Sequence, residues 1–180
     1  MAHRWTAIPI ATICVVACSP TTNPQPENPP PRSTTTAAPA IAGFPDLSNY
    51  TEDTSGSYEV INSPRTQGFA FSTPNGLICM SNAYPDLEFE MVGCRGPMPH
   101  EGPGDWYVAA RHSQATTVEN ITGDRDYASA VKDPPPVLPP MHKLNTVTGD
   151  AVCAVDDKGM TACQVGEHGF VITPTSTQLF

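Results

Sequence analysis

The chain has 180 residues, nine Lys and Arg against eighteen Asp and Glu, and a net charge of −9 at neutral pH. A charge of that sign argues against nucleic-acid binding and against electrostatic docking on anionic lipid, since both need a basic surface. Residues 46–180 are enough for one domain with a core of its own.

The chain opens Met1-Ala2-His3-Arg4-Trp5 and then runs apolar from Ala7 to Ala17, with breaks at Pro9 and Thr12. As a helix that run would rise about 16 Å, too little for a bilayer core about 30 Å thick. A positive start, a short apolar middle and a small residue before the cut describe a secretory signal peptide over residues 1–17. The segment Val15-Val16-Ala17-Cys18 resembles the lipobox of bacterial lipoproteins, in which the thiol of the first mature residue carries the lipid. Cys18 is therefore the expected lipidation site. Cys14 fits less well, because the bulky Ile13 precedes it. The competing reading is an ordinary cut after Ala17 that leaves Cys18 a free thiol. Loss of Arg4 with the leader would take the mature charge from −9 to −10. Attachment to the membrane would then rest on the lipid, and stable anchoring takes two or more acyl chains. The expected location is the extracytoplasmic face of the cell membrane.

Residues 18–45 are dense in Pro, Thr, Ala and Asn, and Pro29-Pro30-Pro31 favours the extended polyproline conformation. Such a segment buries little and is expected to be a disordered tether. The Thr34-Thr35-Thr36 run beside Pro39 has the composition of an O-glycosylated stalk. A plain linker with no further role is the preferred reading.

Six cysteines occur. With Cys14 in the leader and Cys18 lipidated, Cys79, Cys94, Cys153 and Cys163 remain, an even set for an oxidising compartment. Zinc is disfavoured because no C-x₂-C spacing is present. Of the three pairings, the local one, Cys79–Cys94 with Cys153–Cys163, agrees with the strands that follow.

Gly68-Phe69-Ala70-Phe71-Ser72-Thr73 reads as a strand and Pro74-Asn75-Gly76 as the turn after it, with a second strand from Leu77 to Met80. Glu88-Phe89-Glu90-Met91-Val92 alternates charge with apolar side chain, the pattern of a half-buried strand. A hairpin turning near Tyr84-Pro85-Asp86 would set Cys79 against Cys94. Trp106 to Ala110 suits a strand or a short helix, and Asp126 to Lys132 a turn or two of helix. Asp133 to Pro140, with five prolines, must be extended at an edge or in a loop.

The C-terminal hairpin carries the clearest local signal. Ala151 to Asp156 and Met160 to Val165 flank Asp157-Lys158-Gly159, and a three-residue loop ending in Gly suits a type I turn with a bulge. Setting Asp156 opposite Met160 places Cys153 opposite Cys163 at a non-hydrogen-bonded position, where Cα atoms lie about 4.5 Å apart. A disulfide can close there. Gly169 to Ile172 is expected as the last strand. The fold class is mainly β: a small disulfide-pinned antiparallel sheet or barrel-like domain with at most one or two short helices.

Phe71-Ser72-Thr73-Pro74-Asn75-Gly76-Leu77-Ile78-Cys79 resembles a motif, F-x-[ST]-P-[SN]-G-[NL]-I-x-C, of small exported proteins and lipoproteins of actinobacteria, mycobacteria included. Gly159-Met160-Thr161-Ala162-Cys163, then His168-Gly169-Phe170 and Leu179-Phe180, are similar to that family's G-V-T-C, G-H-G-F and closing aromatic. Glu167 stands where the motif has its first Gly, and Ala162 is an extra residue before the Cys. The resemblance covers both ends of the domain but not its middle. It implies an exported, disulfide-bonded domain and no reaction.

Candidate chemistry is sparse. His100-Glu101 starts like HExxH, but Gly104 stands at the second ligand position and Pro97, Pro99 and Pro103 exclude a helix. Glu167-His168 offers a general base or a turn contact, and no Ser lies in a nucleophile elbow. Asp156-Asp157, Asp124 and Asp126 match no calcium-loop spacing. Trp106 and Tyr107 suit core packing better than a ligand site. Asn120-Ile121-Thr122 is a glycosylation triplet whose enzyme is not expected in this compartment. No catalytic residue, metal ligand or cofactor is assigned. The expected function is a non-enzymatic binding or structural module of the envelope, with a protein, glycan or lipid partner. The alternative is a small extracytoplasmic hydrolase with its site near His168.

Overall fold

Close to half of the described residues are strand, because short runs of β-branched, aromatic and small residues alternate with Gly and Pro turns. The structure is a computed structural model that describes residues 43–54, 56–62, 66–82, 87–147 and 149–180. The leader, Cys18, most of the tether and the Tyr84-Pro85-Asp86 turn lie outside the described residues.

Among the described residues, twelve strands form two sheets. The first sheet has the order β1 (Thr51–Glu52), β8 (His142–Asn145), β9 (Val152–Val155), β10 (Thr161–Val165), β11 (His168–Thr173), β12 (Ser176–Leu179). The second runs in chain order: β2 (Glu59–Asn62), β3 (Thr66–Ser72), β4 (Ile78–Asn82), β5 (Met91–Pro97), β6 (Asp105–Arg111), β7 (Gln114–Asn120). All pairings within the sheets are antiparallel except β1 with β8. The domain is mainly β, and its sheets stay open. Strands β5 to β7 pack face to face on β10 and β11, so the layers form a sandwich where a barrel-like closure was one expectation.

The core lies between the layers. Phe71, Val92, Val108 and Cys94 of the second sheet meet Cys153, Cys163, Val165 and Phe170 of the first, and all are buried. Both disulfides sit in this core. Cys79–Cys94 joins β4 to β5 and Cys153–Cys163 joins β9 to β10, with Cα separations of 4.0 and 4.1 Å. The register read from the Asp157-Lys158-Gly159 loop is the observed one: Cys163 pairs with Cys153, Asp156 N–H donates to Met160 O at 3.1 Å, and Gly159 has φ 87°.

Three local expectations need correction. Leu87–Phe89 is a 3₁₀ turn, and the strand starts only at Met91. Alternation put Glu90 on the solvent face, yet Glu90 is 0% exposed and Phe89 is 59% exposed. Nor does the chain finish with the Gly169–Ile172 strand, because β12 returns along β11. There, Phe180 exchanges backbone hydrogen bonds with Gly169, both 3.0 Å. A Cβ on Gly169 would lie 2.5 Å from the Phe180 ring, so the Gly of His168-Gly169-Phe170 makes room for the closing aromatic. The Phe180 ring also meets Phe44, with centroids 6.1 Å apart.

Trp106 to Ala110 falls in strand β6, and Arg125–Lys132 forms α1. The Asp124 carboxylate caps α1 by accepting from Tyr127 N–H at 2.7 Å, and Tyr127 is the helix's buried residue. Asp124→Ala should cost about 1 kcal/mol by urea unfolding, the usual worth of a cap. An unchanged midpoint would show that the tertiary anchor at Tyr127 holds the helix without it.

The proline-rich stretch runs extended beside β3, where β2 has ended. Ser72 N–H donates to Pro136 O and Leu138 N–H to Ser72 O, both at 2.9 Å. Ser72 Oγ donates to Pro135 O at 2.8 Å, and Leu138 is fully buried.

Candidate functional site

Strands end where the two sheets part, and a cleft forms there. It has a volume of about 410 Å³. Tyr58, Phe69 and Leu144 form its apolar floor, while Glu52 of β1, Asp53 just after it and Glu59 of β2 bring carboxylates to its wall. Glu59 pairs in register with Phe69, so both side chains share one face of the sheet. No Lys or Arg lines it among the described residues. Asp53 Oδ2 lies 3.8 Å from His142 Nδ1. Burial, then the Asp53 charge, pushes the Tyr58 hydroxyl above its usual range, and that hydroxyl donates to Val137 O at 3.1 Å.

One wall of the cleft belongs to the loop between β8 and β9, through Thr146 and Val147. Glu90, at the entry to β5, holds that loop from behind. Its carboxylate accepts from Thr146 Oγ1 at 3.1 Å, Asp150 N–H at 3.1 Å and Ala151 N–H at 3.2 Å. A Cβ on Gly149 would lie 1.9 Å from Glu90 Oε1, so the loop needs glycine where the carboxylate presses on it. Burial raises the Glu90 pKa most, and the Asp150 carboxyl adds to the rise. The Asp150 N–H and the Thr146 hydroxyl work the other way. His112 Nε2 stands 3.4 Å from Asp150 Oδ2 on the outer side. Carboxylate, loop and imidazole thus form one support for the cleft wall. Sequence reading missed it, since the partners of Glu90 lie 56–61 residues away and alternation pointed the side chain outward.

The residues singled out in sequence are scattered. His168 closes the β10–β11 hairpin opposite Val165, after Gly166 at φ 56°. Among the described residues its ring has no hydrogen-bond or ion-pair partner, so no base–nucleophile pair surrounds it. His100 Nε2 bonds Thr177 Oγ1, and Glu101 lies 3.6 Å away. Asp156 Oδ1 accepts from Lys158 and Met160 N–H at 2.8 and 2.7 Å, which makes it a turn cap. Asn120 Oδ1 likewise accepts from Thr122 N–H at 3.1 Å.

Trp106 packs on the core edge, and its indole N–H donates to Gly102 O at 3.3 Å. Tyr107 lies on the outer face, across Gly93, with the Arg95 guanidinium 5.4 Å from its ring centroid. Together with Glu119, Asp124 and Asp126 these two line a second cleft of about 240 Å³. Among the described residues no group of three or more His, Cys, Asp or Glu is placed to hold a metal ion, and no helix is long and apolar enough to cross a membrane. No protein-family model matches the chain, and no curated protein or solved structure matches it.

Proposed function

We propose that the chain is an exported lipoprotein, held on the extracytoplasmic face of the cell membrane by lipid on Cys18. Its folded domain acts as a non-enzymatic binding or structural module. The observation that carries the reading is the pair of disulfides in the core, which require an oxidising compartment to form and persist. The signal-like leader, Ala17-Cys18 and the Pro- and Thr-rich tether fit the same account, as does the resemblance to exported actinobacterial proteins. Binding is assigned to the cleft between the sheet ends. Its volume is that of a small-ligand site, and it combines an apolar floor with a few polar groups.

Cys18→Ala should move the protein from the detergent-soluble membrane fraction to a secreted or unprocessed form. Intact-mass analysis of the native protein should show an acyl increment on its first residue. A mature protein without that increment would overturn the anchor. Hydrolysis of an ester, peptide or glycan panel by the purified protein, abolished in His168→Ala, would replace the binding module with the hydrolase.

A further inference from the structure

The two disulfides belong to different sheets, yet they touch. Cys94 Sγ lies 3.9 Å from Cys163 Sγ. Both sulfurs are already bonded, so this is a van der Waals contact. It arises because Cys94 of β5 and Cys163 of β10 both point into the space between the layers. Cα atoms of β5 and β10 come within 8 Å of each other. All four cysteines are fully buried.

Thiol–disulfide exchange needs a thiolate in contact with a disulfide sulfur. Once Cys94 is released from Cys79, it already stands beside Cys163. Held reactants of this kind react as if at very high concentration. We propose that the four cysteines form a single exchange unit, in which opening of Cys79–Cys94 passes the disulfide to Cys94–Cys163 and ties the two sheets together.

The co-reactant is a small dithiol. One of its thiolates attacks Cys79 Sγ during a local opening of the core. The Cys79–Cys94 bond breaks, and the electron pair leaves on Cys94 Sγ. That thiolate attacks Cys163 Sγ, the Cys94–Cys163 bond forms, and Cys153 Sγ leaves with its electron pair and takes a proton from water. The second thiol of the dithiol then attacks its own sulfur in the mixed disulfide, releasing Cys79 as a thiol. In sum, the dithiol is oxidised by two electrons. Two disulfides within sheets become one disulfide between sheets and two thiols, Cys79 and Cys153. The reverse sequence, driven by an oxidant of the same disulfide class, restores the resting state. The new bond encloses a far longer loop than either old one, so once formed it restricts the unfolded chain more than either native bond does.

The test uses the full chain. Limiting dithiothreitol, an acid quench, alkylation and peptide mapping without reduction should give Cys94–Cys163 as the main one-disulfide species. One-disulfide species containing only Cys79–Cys94 or Cys153–Cys163 would overturn the proposal. Two variants need no reductant. Cys79→Ser frees Cys94, and Cys153→Ser frees Cys163, so each should yield the Cys94–Cys163 peptide in an amount comparable to its remaining native pair. Cys94→Ser and Cys163→Ser remove the touching sulfurs and should each keep one native disulfide alone. Scrambling in these controls equal to that in the first two variants would show unfolding and overturn the proposal as well.

Discussion

Replacing either disulfide pair by alanine should lower stability by about 3 kcal/mol, because each bond closes a short loop in the unfolded chain. The sequence separations are 15 and 10 residues, and the entropy of loop closure varies only slowly over that range. A loss of that size is a large share of the typical 5–15 kcal/mol of a domain. It should move the melting temperature by roughly 10 °C. Cys79→Ala with Cys94→Ala, and Cys153→Ala with Cys163→Ala, should also fail to add when combined. The sulfurs of the two pairs are in contact, and contacting sites couple. Calorimetry of the three variants decides it. Strictly additive shifts would mean that the pairs act only through the unfolded chain, and unchanged melting would remove the entropic argument altogether.

The second large effect is expected at Glu90. Glu90→Ala would leave the Asp150 N–H without its acceptor and open a cavity behind the β8–β9 loop. One orphaned, partly buried donor and one cavity together cost about 3 kcal/mol. Amide hydrogen exchange should accelerate first at Asp150 and Ala151, and equal protection in both proteins would show that the carboxylate does not hold the loop.

Glu90→Gln separates charge from shape. Burial raises the folded pKa of Glu90 above its ordinary value of 4.5. The ionised form is therefore the one the fold disfavours. The stability this group contributes is full below the unfolded pKa and is lost as pH rises through the folded pKa. The wild type should gain on the Gln variant as the solution is acidified through that window, and the gap should become constant below it. A wild type that instead loses ground to the Gln variant on acidification would mean that the carboxylate, with its three donors, is favoured as the anion.

Much of the sandwich could be read locally, and particular residues show where that ended. The Asp157-Lys158-Gly159 loop fixed its own register because three neighbouring residues determine the turn, and the cysteines followed from the register. Strand β7, Gln114–Asn120, leaves no mark in the sequence because it is a polar edge with little buried on either face, so no apolar alternation signals it. Strand β12 is short and mostly polar, and only Phe180 against Gly169 reveals why it returns. The cleft was illegible for a different reason. Its walls come from β1, β2, β3 and the β8–β9 loop, segments brought together by topology, and no spacing along the chain encodes that meeting.

The proline-rich strip beside β3 bears on how such a protein behaves when crowded. An exposed strand edge offers a ladder of N–H and C=O groups on which another chain can pair and aggregate. Here the edge of β3 beyond β2 is occupied by residues 135–138, whose Pro135 and Pro136 have no N–H to offer a newcomer. Val137, 55% exposed, is the one residue of Pro134–Pro140 other than Leu138 that keeps a donor, and its neighbours on either side leave no continuous ladder. Replacing these prolines with β-branched residues would keep the strip extended while giving it donors. The expected result is a protein that folds but self-associates through that edge, a failure that stability measurements alone would not reveal.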